Sequence, residues 1–163
     1  HVYCSETRPY LQGARLTAMS AQQIGHDVTL ITDGMGGFLM RQAKIGVLVT
    51  AADRVCMDGT ICNKVGTYQY ALAARANRLP YYVLRQSGPD FESAGEGDIH
   101  LEYRDPDAVL EFEGIRLAPP GVKALYPAFD ITPPDLVTAV VTDRGVFVPS
   151  ALAAYPRDCA GAR

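Results

Sequence analysis

The runs "DVTLIT", "IGVLVT" and "YYVLR" limit the possible folds more than any other feature of this chain. Each is short, apolar and rich in β-branched or aromatic residues, as a strand buried on both faces must be. Segments of helical length accompany them. "LQGARLTAMSAQQIG" places Leu11, Ala14, Ala18, Met19 and Ala21 at near-helical spacing, and Gly25 is positioned to end it. "GGFLMRQAK" reads as a short helix, and "KVGTYQYALAARANRL" as a long one that Pro80 stops. With the opening β run "HVYC", the first half alternates strand and helix. That alternation implies right-handed βαβ crossovers and a parallel sheet. The expected fold class is α/β, doubly wound and mostly parallel, with helices on both faces.

The pattern changes after Arg85. "QSGPDFESAGEGD", residues 86–98, is a loop by composition and is expected to be mobile. "IHLEYR" and "AVLEFEGIRLA" read as shorter extended pieces. In "YPAFDITPPDLVTAVVTDRGVFVP" a helix is expected to be capped by Thr132, with Pro133 in the first helical position and Asp135 completing a Thr-x-x-Asp capping box. "GVFVP" supplies a last strand. The tail, residues 151–163, lacks periodicity and is expected to fray or to pack on a neighbour. A chain of 163 residues without repeats is read as one domain over residues 1–150 plus this tail.

Composition excludes several partners. A net charge of −3 offers no basic footprint for nucleic acid or an anionic membrane. No apolar run approaches the roughly 20 residues of a membrane span, and no signal-peptide pattern opens the chain, so the cytoplasm is the expected compartment. Cys4, Cys56, Cys62 and Cys159 form no Cys-x-x-Cys pair, and His1, His26 and His100 are scattered, so no metal site is expected. The chain opens "HVYCSETRP", without Met, and reads as part of a longer polypeptide.

In parallel sheets, ligands bind beyond the carboxyl ends of the strands. Three polar loops fall there: "SETRPYLQGAR", "TDGMGG" and "AADRVCMDGTICNK". The third is the richest. Asp53 follows "VLVTAA", so its carboxylate is a candidate acid/base facing the crevice, where partial desolvation would raise its pKa. A helix cap or an ion pair with Arg54 explains the same position. Asn63 and Lys64 precede the long helix, whose free N–H groups favour an anion such as phosphate. A solvated lysine fits equally well. Gln12 and Arg15 lie at the start of the first helix, and Arg8 and Arg15 suit either an anion or surface acids. "DGMGG" matches no nucleotide-binding fingerprint and is better suited to close packing. Cys56 and Cys62 are read as small buried hydrophobes. Asp130 is either a second functional acid or part of a cap.

"ETRPYLQGARLTA", "VTLITDGM", "ADRV…DGTICNKVGTYQYALAA" and "YPAFDITPPDLVTAVVTDRGV" together resemble the C-terminal domain of the methylthioribose-1-phosphate isomerase family. That family is related to the regulatory subunits of translation initiation factor 2B and to ribose-1,5-bisphosphate isomerase. The likeness runs almost continuously from residue 1 to about 150. It implies a Rossmann-like domain, a homodimer, and conversion of an aldose 1-phosphate to a ketose 1-phosphate without a cofactor. It places the catalytic aspartate at Asp53 and substrate contacts at Gln12, Asn63 and Lys64. The family's catalytic cysteine and helical N-terminal domain are expected upstream of His1, so this chain alone is expected to be inactive. Ala51-Ala52-Asp53-Arg54 and "VCMDGTICNK" depart from the usual family pattern and mark a divergent branch. The alternative is a non-catalytic regulatory module that binds a sugar phosphate or a nucleotide.

Overall fold

In the computed structural model, which describes residues 1–156, strand and helix alternate through the first half as expected. Strand β1 (Val2–Ser5) leads into a helical segment whose first turn, Gly13–Thr17, is wound as a π-helix and which continues as α1 (Ala18–Gln23). Strand β2 (Val28–Ile31), helix α2 (Gly36–Arg41) and strand β3 (Leu48–Ala51) follow. Next comes a hairpin, β4 (Arg54–Val55) and β5 (Ile61–Lys64), then α3 (Thr67–Ala76) and β6 (Tyr81–Leu84). The second half holds a short helix, α4 (Asp107–Leu110), and the hairpin of β7 (Glu111–Phe112) and β8 (Ile115–Arg116). It ends with β9 (Phe129–Thr132), β10 (Ala139–Thr142) and β11 (Gly145–Phe147).

The sheets confirm the α/β class. Strand β1 runs parallel to β2, with Val2 opposite Val28. The main sheet has the order β11-β10-β6-β3, in which β3, β6 and β10 are parallel and β11 is an antiparallel edge. A third, antiparallel sheet, β4-β5-β9, holds the polar loop after β3. The core lies between these layers. Val55, Ile61, Tyr81, Val83, Val140 and Leu152 are fully buried, and α3 adds Ala71 and Ala74. Tyr81 keeps its buried hydroxyl satisfied by Thr50 at 2.7 Å. "DGMGG" does serve close packing: a Cβ at Gly36 would fall 1.8 Å from the Tyr70 ring, so α2 meets α3 there only through glycine.

Three expectations are corrected. No helix begins at Thr132. That residue ends β9, fully buried, and Pro134–Leu136 makes one 3-10 turn before the chain extends into β10. The reason is tertiary. Three of the four residues of "AVVT" are β-branched, and Ala139–Val141 pair in register with Tyr82–Leu84, which outweighs the local capping signature. The tail also does not fray as far as it is described. Pro149–Ala154 forms a 3-10 helix that seats Leu152 and Tyr155 in the core, and Tyr155 meets Phe147 edge-on at 5.0 Å. The rest of the tail, including Cys159, lies outside the described residues. The loop at 86–98 is tied down. Asp90 N–H donates to Val55 O (2.8 Å), Met57 N–H to Ser93 O (2.8 Å) and Asp58 N–H to Ala94 O (3.2 Å), so the loop covers the open edge of β4.

Leu152→Ala tests the seating of the tail. Urea unfolding is expected to show a loss of about 2–5 kcal/mol, the cost of a large-to-small change in a core. A frayed segment would change stability by under about 0.5 kcal/mol.

Candidate active site

The loop after β3 is organised as a hairpin rather than as a helix entry. Its turn is built on Asp58-Gly59, with Gly59 N–H donating to Cys56 O at 2.9 Å and the Asp58 carboxylate accepting from Thr60 N–H at 2.8 Å. Arg54 pairs with Cys62, and Asp53 N–H also reaches the Cys62 carbonyl at 3.0 Å. Two residues of one strand thus oppose one of its partner, as in a β-bulge, which re-aims the side chain at the point where β3 ends. Asp53 is exposed there. The partial desolvation expected from its place in the crevice is therefore not supplied within this chain. Arg54 points the other way, into the 90–98 loop. Its guanidinium reaches Ser93 Oγ at 3.1 Å, Asp98 O at 3.3 Å and Asp90 at 3.4 Å.

Asn63 and Lys64 lie on β5, not on a helix entry. Asn63 faces Asp130 and Lys64 faces Phe129 across the antiparallel pair. The Asn63 amide donates to Thr67 Oγ1 at 2.9 Å. Lys64 Nζ donates to Ala128 O at 2.9 Å and stands 4.2 Å from the centre of the Phe129 ring. Burial lowers the Lys64 pKa, and the nearby Arg104 charge adds to this, while Asp53 and Glu102 oppose it. The end of α3 that was expected to welcome a phosphate is already occupied. Asp130 accepts from Gly66 N–H at 2.6 Å and from Tyr68 N–H at 3.2 Å. Burial raises its pKa, and these two backbone bonds pull it back down.

Gln12 sits on the loop after β1, whose shape is set by Asp33. That carboxylate accepts from Ser5 Oγ, from Thr7 N–H (2.9 Å) and from Arg8 N–H (2.7 Å). The Gln12 side-chain oxygen is buried without a hydrogen-bond partner among the described residues. A run of cations and rings joins this loop to β5: the Arg104 guanidinium lies 5.9 Å from the rings of both Tyr10 and Phe129. Lys64 packs on that same Phe129. The structure thus brings Asp53, Asn63 and Lys64 onto one hairpin, and Arg104 links that hairpin to Tyr10 in the loop that carries Gln12. Sequence reading missed Asp33 and Arg104. Asp33 stood in a flagged loop with no visible partner, and Arg104 ends "IHLEYR", a run read as an extended piece to which no chemistry was attached. A shallow cavity of about 490 Å³, lined by Ala52, Leu84, Arg85, Gln86, Ser87 and Asp143, follows the carboxyl ends of β3, β6 and β10. No group of three or more potential metal ligands occurs among the described residues.

Parallel strands crossed by helices, with polar loops beyond their carboxyl ends, define an α/β domain of Rossmann type. The model of the initiation factor 2 subunit family matches residues 1–149, and the chain belongs to that family. It is 47% identical over 155 residues to a methylthioribose-1-phosphate isomerase of Chloroflexus aurantiacus, covering 94% of this chain and 45% of that protein. The 5-methylthioribose 1-phosphate isomerase of Pyrococcus horikoshii superposes with a TM-score of 0.87 at 39% identity, over 93% of this chain and 43% of that one. Translation initiation factor eIF-2B, subunit delta, of A. fulgidus gives 0.85 at 36%, over 93% and 44%. The chain spans less than half the length of these relatives.

The three cysteines among the described residues are built to be inert. Cys4, Cys56 and Cys62 are buried, and desolvation raises all three thiols, with Cys56 pushed up to about 11. Site-resolved alkylation of the folded protein is therefore expected to leave all three unmodified at pH 8. Cys56 labelling should rise about tenfold per pH unit, since only the thiolate reacts.

Proposed function

We propose that the protein carrying this chain is an aldose–ketose isomerase. Its substrate is a 5-substituted ribose 1-phosphate, methylthioribose 1-phosphate first, which it converts to the ribulose 1-phosphate in methionine salvage. The observation that carries this reading is the 47% identity to a protein named for that activity, together with Asp53, Asn63 and Lys64 on a single hairpin. The reaction adds and removes no atoms. The ring oxygen gains a proton as its bond to C1 breaks, a hydrogen moves from C2 to C1, and the C2 hydroxyl loses its proton. Asp53 is the acid/base. Gln12 and Asn63 bind the sugar through their amides, and Lys64 binds the phosphate. No cofactor takes part.

Exposure of Asp53 requires a second surface to close over it, since an acid that is protonated near neutral pH must be desolvated. The family resemblance assigns that surface, and a partner cysteine, to sequence outside this chain. Buried thiols with raised pKa values support leaving Cys4, Cys56 and Cys62 out of the mechanism. The proposed enzyme is a cytoplasmic homodimer.

A second reading is a regulatory module that binds a sugar phosphate without turning it over. The likeness to the eIF-2B delta subunit favours it. Retention of Asp53 speaks against it, because binding alone needs no acid.

The deciding experiment assays the full-length protein on methylthioribose 1-phosphate, 5-deoxyribose 1-phosphate and ribose 1,5-bisphosphate. Turnover of none of them would end the isomerase reading. Asp53→Asn is expected to cut kcat by about 10²–10⁴, the usual contribution of a positioned acid/base, with the melting temperature retained. Lys64→Ala is expected to raise KM about 10- to 150-fold, the equivalent of a charge-assisted bond of about 1.5–3 kcal/mol.

A further inference from the structure

Asp130 has no task in the reaction above, yet the fold places it beside the residues that do. It stands opposite Asn63 in the β5–β9 pair. Its carboxylate spans the start of α3, accepting from Gly66 N–H at 2.6 Å and Tyr68 N–H at 3.2 Å. Gly66 has φ +104°, a left-handed conformation that a residue with a side chain adopts only under strain. The turn so formed also holds the Asn63 amide. That amide donates to Thr67 Oγ1, which in turn donates to the Lys64 carbonyl at 2.8 Å.

These contacts place a negative charge where backbone donors and the helix dipole would otherwise attract an anion from solution. A substrate phosphate at the same spot would meet a carboxylate of like charge. The phosphate must therefore be held elsewhere, and Lys64 is the cation on the adjoining strand.

We propose that Asp130 is a positioning residue: it fills the N-terminal end of α3, locks the turn that orients Asn63 and Lys64, and excludes substrate phosphate from that helix end. The assignment rests on the isomerase reading for its effect on turnover, and on geometry alone for its effect at the helix end.

The test uses the full-length protein with Asp130→Ala, Asp130→Asn, Asn63→Ala and the double variant Asp130→Ala/Asn63→Ala. Asp130→Ala is expected to raise KM about tenfold with kcat within about threefold, a size usual for members of one hydrogen-bond network. Asp130→Asn, which keeps one acceptor oxygen, is expected to recover most of the loss. In the Asn63→Ala background, Asp130→Ala should raise KM by clearly less than tenfold, since the share of its effect that runs through Asn63 is already lost and only the share through Lys64 remains. An unchanged KM in Asp130→Ala, or full additivity in the double variant, overturns the proposal.

A second readout needs no turnover. Inorganic phosphate should shift the Gly66 and Tyr68 amide resonances of Asp130→Ala and leave those of the wild type unmoved. No shift in the variant, or an equal shift in both, overturns the proposal. If wild-type protein turns over none of the sugar phosphates, the isomerase reading fails, and this amide test still decides whether Asp130 guards the helix end. Should Asp130→Ala not fold, Asp130→Asn is expected to show the same directions at smaller size, and their absence counts against the proposal equally.

Discussion

The pairing of β10 with β6 is the contact on which the rest of the structure depends. Val140 lies opposite Val83, both fully buried, and the pair joins the late part of the chain to the early βαβ units. With β3 on the other side of β6, it gives three parallel strands in one sheet. Their carboxyl ends face one way, so the loops that follow them share one crevice. Core residues from the third sheet, Val55 and Ile61, pack into the same cluster. The hairpin that carries Asp53, Asn63 and Lys64 is therefore anchored by the main sheet's own core.

That anchoring separates two tasks along β5. Ile61 and Cys62 are buried, whereas Asn63 and Lys64 are only partly covered, so the strand changes from core to site within four residues. The bulge at Asp53 turns its carboxylate outward, and the neighbouring Arg54 holds the 90–98 loop against the hairpin. Rigidity on one flank and exposure on the other suit a surface that awaits a second body. Apolar residues of the first helical region, Leu16, Met19 and Ile24, and of the following segment, Leu30 and Phe38, are exposed as well.

How much of this was legible depended on whether the deciding interaction was local. Strands β2, β3 and β6 were readable because β-branched and aromatic runs favour extended backbone by themselves. Residues 132–142 were misread because the Thr-x-x-Asp pattern is local, while the partner of β10 lies far back in the sequence. Asp58-Gly59 was a hairpin signal in plain view, but strands as short as β4 carry too little alternation to confirm one. The loop at 86–98 looked mobile because its fastening is backbone hydrogen bonding, which side-chain composition does not reveal. Asp53, Asn63 and Lys64, flagged together in sequence, do share one hairpin, while the end of the next helix reads from sequence as favourable to an anion. Asp130 holds that end, and a contact across β5 and β9 has no signature in sequence.

Lys64 carries one further consequence. Its ammonium is satisfied by a carbonyl and by the face of Phe129, and no carboxylate lies within ion-pairing distance of it among the described residues. An anion arriving from solution has no resident counterion to displace. Under the proposed role of Lys64 in holding phosphate, phosphate and sulfate buffers are competing ligands rather than inert media, and the choice of buffer becomes part of measuring affinity for a sugar phosphate.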